Sequence, residues 1–219
     1  MRIWQWRRDG ANWPIADRLV SVARWWQYLP FTQKFANVGF RPVADIGQSG
    51  QSVDMIIRNE QRGDVCAIRE LVRGAFAEAI HSSGTEWAIV DSLRAAGALT
   101  ISLVAAEGAD ILGHVAVSPV IVHGAEGWFG LGPVAVRPQQ QKQGTGAALV
   151  REALKQLRRS GAAGCVVLGE PAFYGKFGFS HDPDMTYADV PSPYFQVMDF
   201  GVQRPTGPVE YHPAFQASS

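Results

Sequence analysis

The clearest structural signal in the chain comes from one continuous segment, Leu131-Gly-Pro-Val-Ala-Val-Arg-Pro-Gln-Gln-Gln-Lys-Gln-Gly-Thr-Gly-Ala-Ala-Leu149. An apolar strand ends at Val136, a polar loop with Gly144 and Gly146 follows, and an amphipathic helix begins directly after it. Backbone N–H groups of such a loop and of the first helical turn converge on one point, where the helix dipole adds partial positive charge. The segment therefore predicts a β-loop-α unit with a site for a phosphate or pyrophosphate.

Strand and helix patterns continue on both sides of this unit. The hydrophobic periodicity predicts strands over residues 55–58, 100–106, 111–122, 128–136, 165–168 and 195–200, and helices over 64–76, 86–96, 145–160 and 171–177. Gly132-Pro133 interrupts the fourth strand, and because proline cannot donate to a ladder we expect a bulge or splay there. The order of elements indicates an α/β (α+β) fold, with a mixed, twisted sheet and helices on both faces.

The first part of the chain differs from the rest in charge and aromatic content. Residues 1–50 carry a formal net charge of +4 and five of the seven tryptophans, while the remainder carries −4. Apolar positions at helical spacing over 15–29 predict an amphipathic helix, which leaves open an interfacial contact, a docking element or lid, and an extension without its own role. A polar Gly/Ser-rich linker at 45–52 separates residues 1–52 from a domain at 53–219.

Composition excludes several classes of protein. Twenty Lys and Arg residues balance twenty Asp and Glu residues, which argues against a nucleic-acid-binding protein. The two cysteines, Cys66 and Cys165, form no C-x-x-C pair, so a zinc ribbon or disulfide scaffold is excluded. No apolar run approaches the roughly 18 residues of a membrane span, and none resembles a secretory signal. We expect a cytoplasmic protein without a metal.

Two familiar phosphate-binding loops do not fit the segment. A Walker loop needs Gly-Lys followed by Ser or Thr, and Gly175-Lys176 is followed by Phe177. A dinucleotide fingerprint begins at Gly144-Thr-Gly146, but Leu149 occupies the third glycine position. The loop by itself therefore leaves a nucleotide-binding module as an alternative.

Further motifs give the loop a family. Gln141-x-x-Gly144-x-Gly146 behind a Val-Ala-Val strand resembles the coenzyme A pyrophosphate loop of the GCN5-related N-acetyltransferase (GNAT) family. Tyr174-Gly-Lys-Phe-Gly178-Phe179 is similar to that family's Tyr-x-x-x-Gly-Phe signature. The segments 113–119, 168–171 and 211–215 resemble a bacterial branch, the YhbS-like predicted acetyltransferases. The likeness runs from about residue 54 to 215, which is three quarters of the chain.

The resemblance implies roles for particular residues. Backbone groups of Val134, Ala135 and Val136 would pair with the pantetheine arm of acetyl-CoA, and one N–H group would hold the thioester carbonyl. The pyrophosphate would be wrapped by the loop residues Gln141, Lys142, Gln143, Gly144, Thr145, Gly146 and Ala147. Acyl transfer to an amine also needs a proton for the leaving thiolate, and a tyrosine with a pKa of about 10 matches an alkyl thiol. Tyr174 is the candidate acid.

The general base is less determined by the sequence. Glu170, just past a strand end, is the candidate that would accept the amine proton directly or through water, although a Glu before Pro171 is equally a loop feature. His114 either lines the acceptor pocket or is a structural histidine, and Ser118 follows it on the same strand face. Cys165 has no partner that would activate a nucleophile, so we expect a core side chain.

The residues and the resemblance together predict an acyl-CoA N-acyltransferase. The acetyl group would pass directly from acetyl-CoA to a primary amine of a small molecule or peptide in a ternary complex, with no metal and no covalent intermediate. A homodimer is possible in this interpretation. The alternative is a CoA-binding sensor that keeps the pyrophosphate loop but has no turnover.

Overall fold

The computed structural model describes residues 54–77, 84–187, 190, 193–201 and 204–216. The predicted extension at 1–52, with its amphipathic helix at 15–29, lies outside these residues. None of the helices in the described ranges is long and apolar enough to cross a membrane.

Eight strands and four helices form the described fold. Their bounds are β1 Ile56–Asn59, α1 Val65–Phe76, α2 Glu86–Ala95, β2 Ile101–Glu107, β3 Asp110–Val122, β4 Ala125–Val136, α3 Thr145–Arg159, β5 Gly164–Leu168, α4 Pro171–Tyr174, β6 Met185–Thr186, β7 Phe195–Asp199 and β8 Gly207–Tyr211. Every element predicted between residues 55 and 200 is present within a few residues of its expected bounds. Two strands were not predicted: β6 has only two residues, and β8 begins with Gly207-Pro208, two residue types that are depleted in strands.

The strands form a mixed sheet in the order β1-β2-β3-β4-β5-β7. All neighbours are antiparallel except β4 and β5, which are parallel because α3 connects them. β8 pairs with the last residues of β3, and β6 pairs with β8. The predicted mixed sheet is confirmed.

Helices cover both faces of the sheet. The apolar stripe of α3, including Leu149, Ala153 and Leu157, packs on Leu103 and Val115 of the sheet. On the opposite face, α1 and α2 bury residues against β2, β3 and β4, namely Ile68, Val72, Val90, Val104, Ala116 and Ala135. The two helical layers fix β3 and β4 at the centre of the molecule.

Glycine at position 164 lets a tryptophan ring pack closely against the start of β5. The Trp128 side chain is 1% exposed, and a Cβ on Gly164 would overlap its ring and lie 2.8 Å from the carbonyl oxygen of Met198. Since a packed core cannot absorb this methyl group without moving, we expect Gly164→Ala to lower the free energy of unfolding by about 1–3 kcal/mol. Urea denaturation measures the change.

The matched control for this substitution is Gly74→Ala in α1. Gly74 is exposed, and a Cβ there meets nothing within 4 Å. Alanine is the better helix former, so this variant should be more stable by about 0.5–1 kcal/mol. If both alanine variants shift the urea midpoint in the same direction, the close contact at Gly164 does not limit stability.

Candidate active site

A gap opens between β4 and β5 in the middle of the sheet. The parallel pairing covers only Trp128–Leu131 of β4, whereas the pairing with β3 continues to Val136. The register of β3 and β4 shifts at Gly132-Pro133, so the predicted bulge is confirmed. Past this bulge β5 pairs with β7 alone, and no strand of the described residues lies beside one edge of residues 134–136.

The backbone groups that face the gap belong to alternate residues. The N–H of Arg137 donates to the carbonyl oxygen of Leu112 in β3, at 2.9 Å. Successive residues of a strand turn their backbone groups to opposite edges, so Ala135 also faces β3, while Val134 and Val136 face the gap. Of the three predicted strand residues, Val134 and Val136 thus have backbone groups available to an extended amide arm.

The glycine-containing loop leads directly into α3. The first intrahelical bond runs from the N–H of Ala148 to the carbonyl oxygen of Gly144, at 2.9 Å. Accordingly the N–H groups of Thr145, Gly146 and Ala147 have no acceptor within the helix. Gly144 has a φ of 95° and provides no capping side chain. This helix start fits a bound pyrophosphate, because its unpaired donors and the helix dipole favour an anion.

Side chains of the loop hold its shape. The amide of Gln141 donates to the carbonyl oxygen of Val136 at 3.2 Å, and that of Gln143 donates to the carbonyl oxygen of Gln139 at 2.8 Å. Lys142 is exposed and has a φ of 61°. The hydroxyl of the buried Thr145 donates to the sulfur of Met55 at 3.7 Å. Because the hydroxyl is engaged there, the backbone N–H is the group of Thr145 that can bind an anion.

The helix start and the gap border the same space. A Cβ on Gly146 would lie 3.4 Å from a methyl of Val136 and 3.8 Å from the ring of Phe173 in α4. Hence the end of β4, the start of α3 and the helix after β5 meet at this glycine. One extended ligand can contact all three elements.

Tyr174 lies on the β5 side of the gap. Its ring packs edge-on against Phe173 and Phe179, with centroids 4.9 and 6.0 Å apart. The ring also lies against Gly169, directly after β5, where a Cβ would be 3.0 Å from ring atom Cδ2. Glycine at 169 is therefore needed for this ring position, a role that the sequence analysis did not assign.

The acidity of Tyr174 differs from the sequence-based expectation. Burial raises its pKa to about 12, instead of the ordinary value near 10 on which its match to a thiol was based. Its hydroxyl makes no hydrogen bond to any residue of the described ranges. At neutral pH the phenol is fully protonated and can donate to a ligand.

Glu170 begins α4 as its capping residue. The carboxylate accepts a hydrogen bond from the N–H of Ala172 at 3.3 Å, and the side chain is exposed. This contact gives Glu170 a structural function, and its role as a base stays a prediction. Cys165 is completely buried, and burial raises the pKa of its thiol, so the prediction of a core side chain is confirmed.

A buried polar cluster lies on the α1/α2 face of the sheet, one strand away from the gap. His114 on β3 is fully buried, and its Nε2 lies 2.9 Å from the Ser102 hydroxyl and 3.9 Å from the Glu60 carboxylate. Arg94 of α2 pairs with Glu60 at 2.6 Å. Only His114 was recognised in the sequence, because the others are brought together from distant positions and share no motif.

The chain is similar in sequence to known acetyltransferases. The family model for the acetyltransferase (GNAT) domain matches residues 99–181. The uncharacterized N-acetyltransferase YhbS of Escherichia coli is 37% identical over 169 residues, which cover 74% of this chain and 98% of YhbS. The chain belongs to the GNAT family. It is an acyl-CoA-dependent N-acetyltransferase of the YhbS-like kind, so the expected family, fold and enzyme class are confirmed.

Two solved GNAT structures resemble this fold over most of its length. A GNAT family acetyltransferase from Brucella melitensis in complex with acetyl-CoA is 48% identical, with a TM-score of 0.67, covering 74% of this chain and 99% of that one. Escherichia coli YhbS in complex with CoA is 34% identical, with a TM-score of 0.69, covering 79% of this chain and 98% of that one. Acetyl-CoA as the acyl donor agrees with both complexes.

Proposed function

We propose that this GNAT member transfers an acetyl group directly from acetyl-CoA to a primary amine of a small molecule or peptide. The observation that carries the proposal is the gap between β4 and β5, which leaves the backbone groups of Val134 and the N–H of Val136 without a strand partner beside the start of α3. A strand edge next to an anion site suits a ligand that joins an amide-bearing arm to a pyrophosphate.

The described residues fit acetyl-CoA along this path. The Val134 and Val136 backbone would pair with the pantetheine arm, and Gln141 orients the loop on the end of β4. The pyrophosphate would be held by the loop and first helical turn, through Lys142, Gln143, Gly144, Thr145, Gly146 and Ala147. When bound, acetyl-CoA supplies the activated thioester from which the acetyl group is transferred.

Two groups of the chain act on the reacting atoms. A backbone N–H of Val134 or Val136 would donate to the acetyl oxygen, on which negative charge develops as the amine attacks. A preorganised donor of this kind stabilises the transition state and supplies a large part of the rate enhancement. The Tyr174 hydroxyl would donate its proton to the leaving sulfur. Both groups border the gap, so no covalent intermediate on the protein is required.

The finer features of this function remain proposals. We place the reaction in the cytoplasm, which suits the free thiols of Cys66 and Cys165. A homodimer, contact of residues 15–29 with an interface, and proton acceptance by Glu170 likewise stay predictions.

A panel of amines and peptides with detection of free thiol tests the proposed function. We expect acetyl-CoA and at least one amine to give thiol release well above the slow hydrolysis seen without amine. CoA should also protect the fold from heat, since a ligand at 100 times its Kd stabilises by about 2.7 kcal/mol, and ATP or NAD should protect less. Protection by CoA without turnover on any amine would favour the sensor. Stronger protection by ATP or NAD would favour a nucleotide-binding module.

A further inference from the structure

We propose that His114 is the general base of the reaction and takes the proton of the attacking amine on its Nδ1 atom. Ser102, Glu60 and Arg94 act as positioning residues that hold the imidazole in the required form. This inference rests on the proposed function and assigns the proton acceptor that the candidate Glu170, bound as a helix cap, leaves open.

His114 lies one strand away from the gap. In the register of the sheet it is opposite Ala135 of β4 on one side and Val104 of β2 on the other. The small side chains of Ala116 and Ala135 lie on the same face of the sheet as the imidazole. The bulge at Gly132-Pro133 comes between the residues that pair with Val115 and Val117, next to His114.

The hydrogen bonds around Ser102 determine which ring nitrogen carries the proton. The Ser102 hydroxyl donates to the Glu60 carboxylate. Burial acts to raise the pKa of Glu60, but its hydrogen bonds with Arg94 and Ser102 outweigh burial and lower the pKa, so the carboxylate stays ionised. A hydroxyl has one proton, so Ser102 must accept from His114 at 2.9 Å. Nε2 is therefore the protonated nitrogen of the neutral ring, and Nδ1 has a free lone pair.

Glu60 is itself fixed by a bidentate ion pair. Arg94 donates to both carboxylate oxygens, at 2.6 and 3.0 Å, and its third contact is to Asp91 at 2.6 Å. Such planar pairs restrict orientation as well as supplying attraction. The same carboxylate borders an open cleft of about 530 Å³ at the β1 edge of the sheet, where it meets solvent. The relay thus links a buried imidazole to the surface.

The Nδ1 atom of His114 has no hydrogen-bond partner within the described part of the chain, although the residue is fully buried. Buried polar atoms are nearly always paired, so an unpaired one marks a place for a ligand or water. Because Nε2 points to Ser102, Nδ1 is directed away from β2. A second unpaired buried atom, the Ser118 hydroxyl oxygen, lies on the same face of β3, opposite Gly130.

Each proton released in the proposed step has an acceptor. The amine nitrogen forms a bond to the acetyl carbon and gives one proton to Nδ1 of His114. The bond between carbon and sulfur breaks, and the sulfur takes the proton of Tyr174. The imidazolium is stabilised by the Glu60 carboxylate 3.9 Å away and releases its proton to solvent once the product has left, while Tyr174 regains one.

The electrostatic surroundings keep the base in its neutral form. Burial, with Arg94 of α2 adding to it, lowers the pKa of His114 to about 4, and the facing Glu60 carboxylate acts in the opposite direction. Nδ1 is therefore unprotonated at neutral pH, and its basic form is lost only as the pH falls through about 4.

His114→Gln tests the base separately from the structural role of the ring. A glutamine amide reaches the Nε2 position and can still donate to Ser102, but it has no lone pair at the Nδ1 position. We expect kcat to fall by about 100-fold, in thiol release and also in the slow hydrolysis of acetyl-CoA, with the affinity for acetyl-CoA unchanged. His181→Gln, at an exposed position, is the matched control and should keep full activity. Normal turnover of His114→Gln would overturn the proposal.

The positioning residue has its own test. Ser102→Ala removes the link between His114 and Glu60, and we expect kcat to fall by about tenfold with an unchanged KM for acetyl-CoA. Ser102→Thr keeps the hydroxyl and should restore kcat. Loss of turnover in both variants at equal melting temperature would overturn the relay.

Nuclear magnetic resonance of the wild-type protein tests the tautomer of His114 without a turnover assay. In protein labelled with ¹⁵N-histidine, the His114 ring should show a protonated Nε2 and an unprotonated Nδ1 at pH 7. The opposite tautomer would overturn the inference even if amines are acetylated. A wild type that shows this tautomer but acetylates no amine of the panel would contradict the proposed function instead.

Discussion

Tyr174→Phe is expected to lower kcat by about 10²–10⁴-fold while the affinity for acetyl-CoA stays nearly unchanged. The substitution removes one hydroxyl at the β5 wall of the gap and keeps the ring. If the hydroxyl protonates the leaving thiolate, its loss affects the chemical step alone, because the loop and the backbone of β4 hold the donor. Single-turnover kinetics with calorimetry of acetyl-CoA binding separates the two effects.

The packing around Tyr174 allows this variant to remove the hydroxyl without disturbing the ring. The ring contacts with Phe173, Phe179 and Gly169 remain, and the hydroxyl has no hydrogen-bond partner among the described residues that would be left unpaired. The melting temperature should therefore change little. Tyr187→Phe, which alters a tyrosine packed on Phe195 and Tyr211 outside the gap, is the matched control.

The pH dependence gives a separate readout for the same residue. A proton donor is active below its pKa, and burial raises that of Tyr174 to about 12, so the alkaline fall in kcat due to the phenol should have its midpoint near pH 12. An alkaline limb near pH 10 that survives in the Phe variant belongs to another group. Wild-type kcat in Tyr174→Phe would falsify the acid role and leave the ring as a packing residue.

Gly146→Asp should weaken the binding of CoA by at least about 30- to 150-fold, which corresponds to about 2–3 kcal/mol. The new carboxylate would stand at the second residue of α3, where the unpaired N–H groups point. A like charge within a few ångströms of the pyrophosphate opposes binding directly. Calorimetry with CoA measures the loss.

The fold should tolerate this substitution, so lost binding cannot be attributed to unfolding. A Cβ at Gly146 would lie 3.4 Å from the Val136 methyl, so little structural adjustment is needed. An acidic residue in the first turn of a helix also stabilises the helix by about 0.3–1 kcal/mol. Gly146→Ala adds the same Cβ without the charge and is the matched control. If the alanine and aspartate variants lose equal affinity, the effect is steric and the anion site lies elsewhere.

The parts of the site that are continuous in sequence were predictable. The β4-loop-α3 segment contains its own signals, because the strand, the two glycines and the helical stripe follow each other without interruption. Gly132-Pro133 likewise indicates its bulge locally, since proline cannot complete a ladder whatever lies beside it. The separation of β4 from β5 follows from that bulge together with the parallel crossover.

The polar cluster of His114 was not predictable in the same way. Glu60, Ser102 and His114 come from three strands or their ends, and their contacts depend on the register of β2 with β3. A shift of one residue would turn Ser102 to the other face of the sheet. The raised pKa of Tyr174 is similarly a result of tertiary burial, which its neighbours in the sequence do not determine.

In the proposed complex, main-chain atoms recognise acetyl-CoA at the gap, and this limits the effect of mutations there. The side chains at positions 134 and 136 can change without altering the amide groups of the unpaired edge, so most substitutions should leave donor recognition intact. Proline is the exception, because it removes the N–H itself. Binding of the donor is in this respect insensitive to substitutions at these positions. Changes in the surrounding side chains can therefore alter the choice of acceptor without affecting the donor.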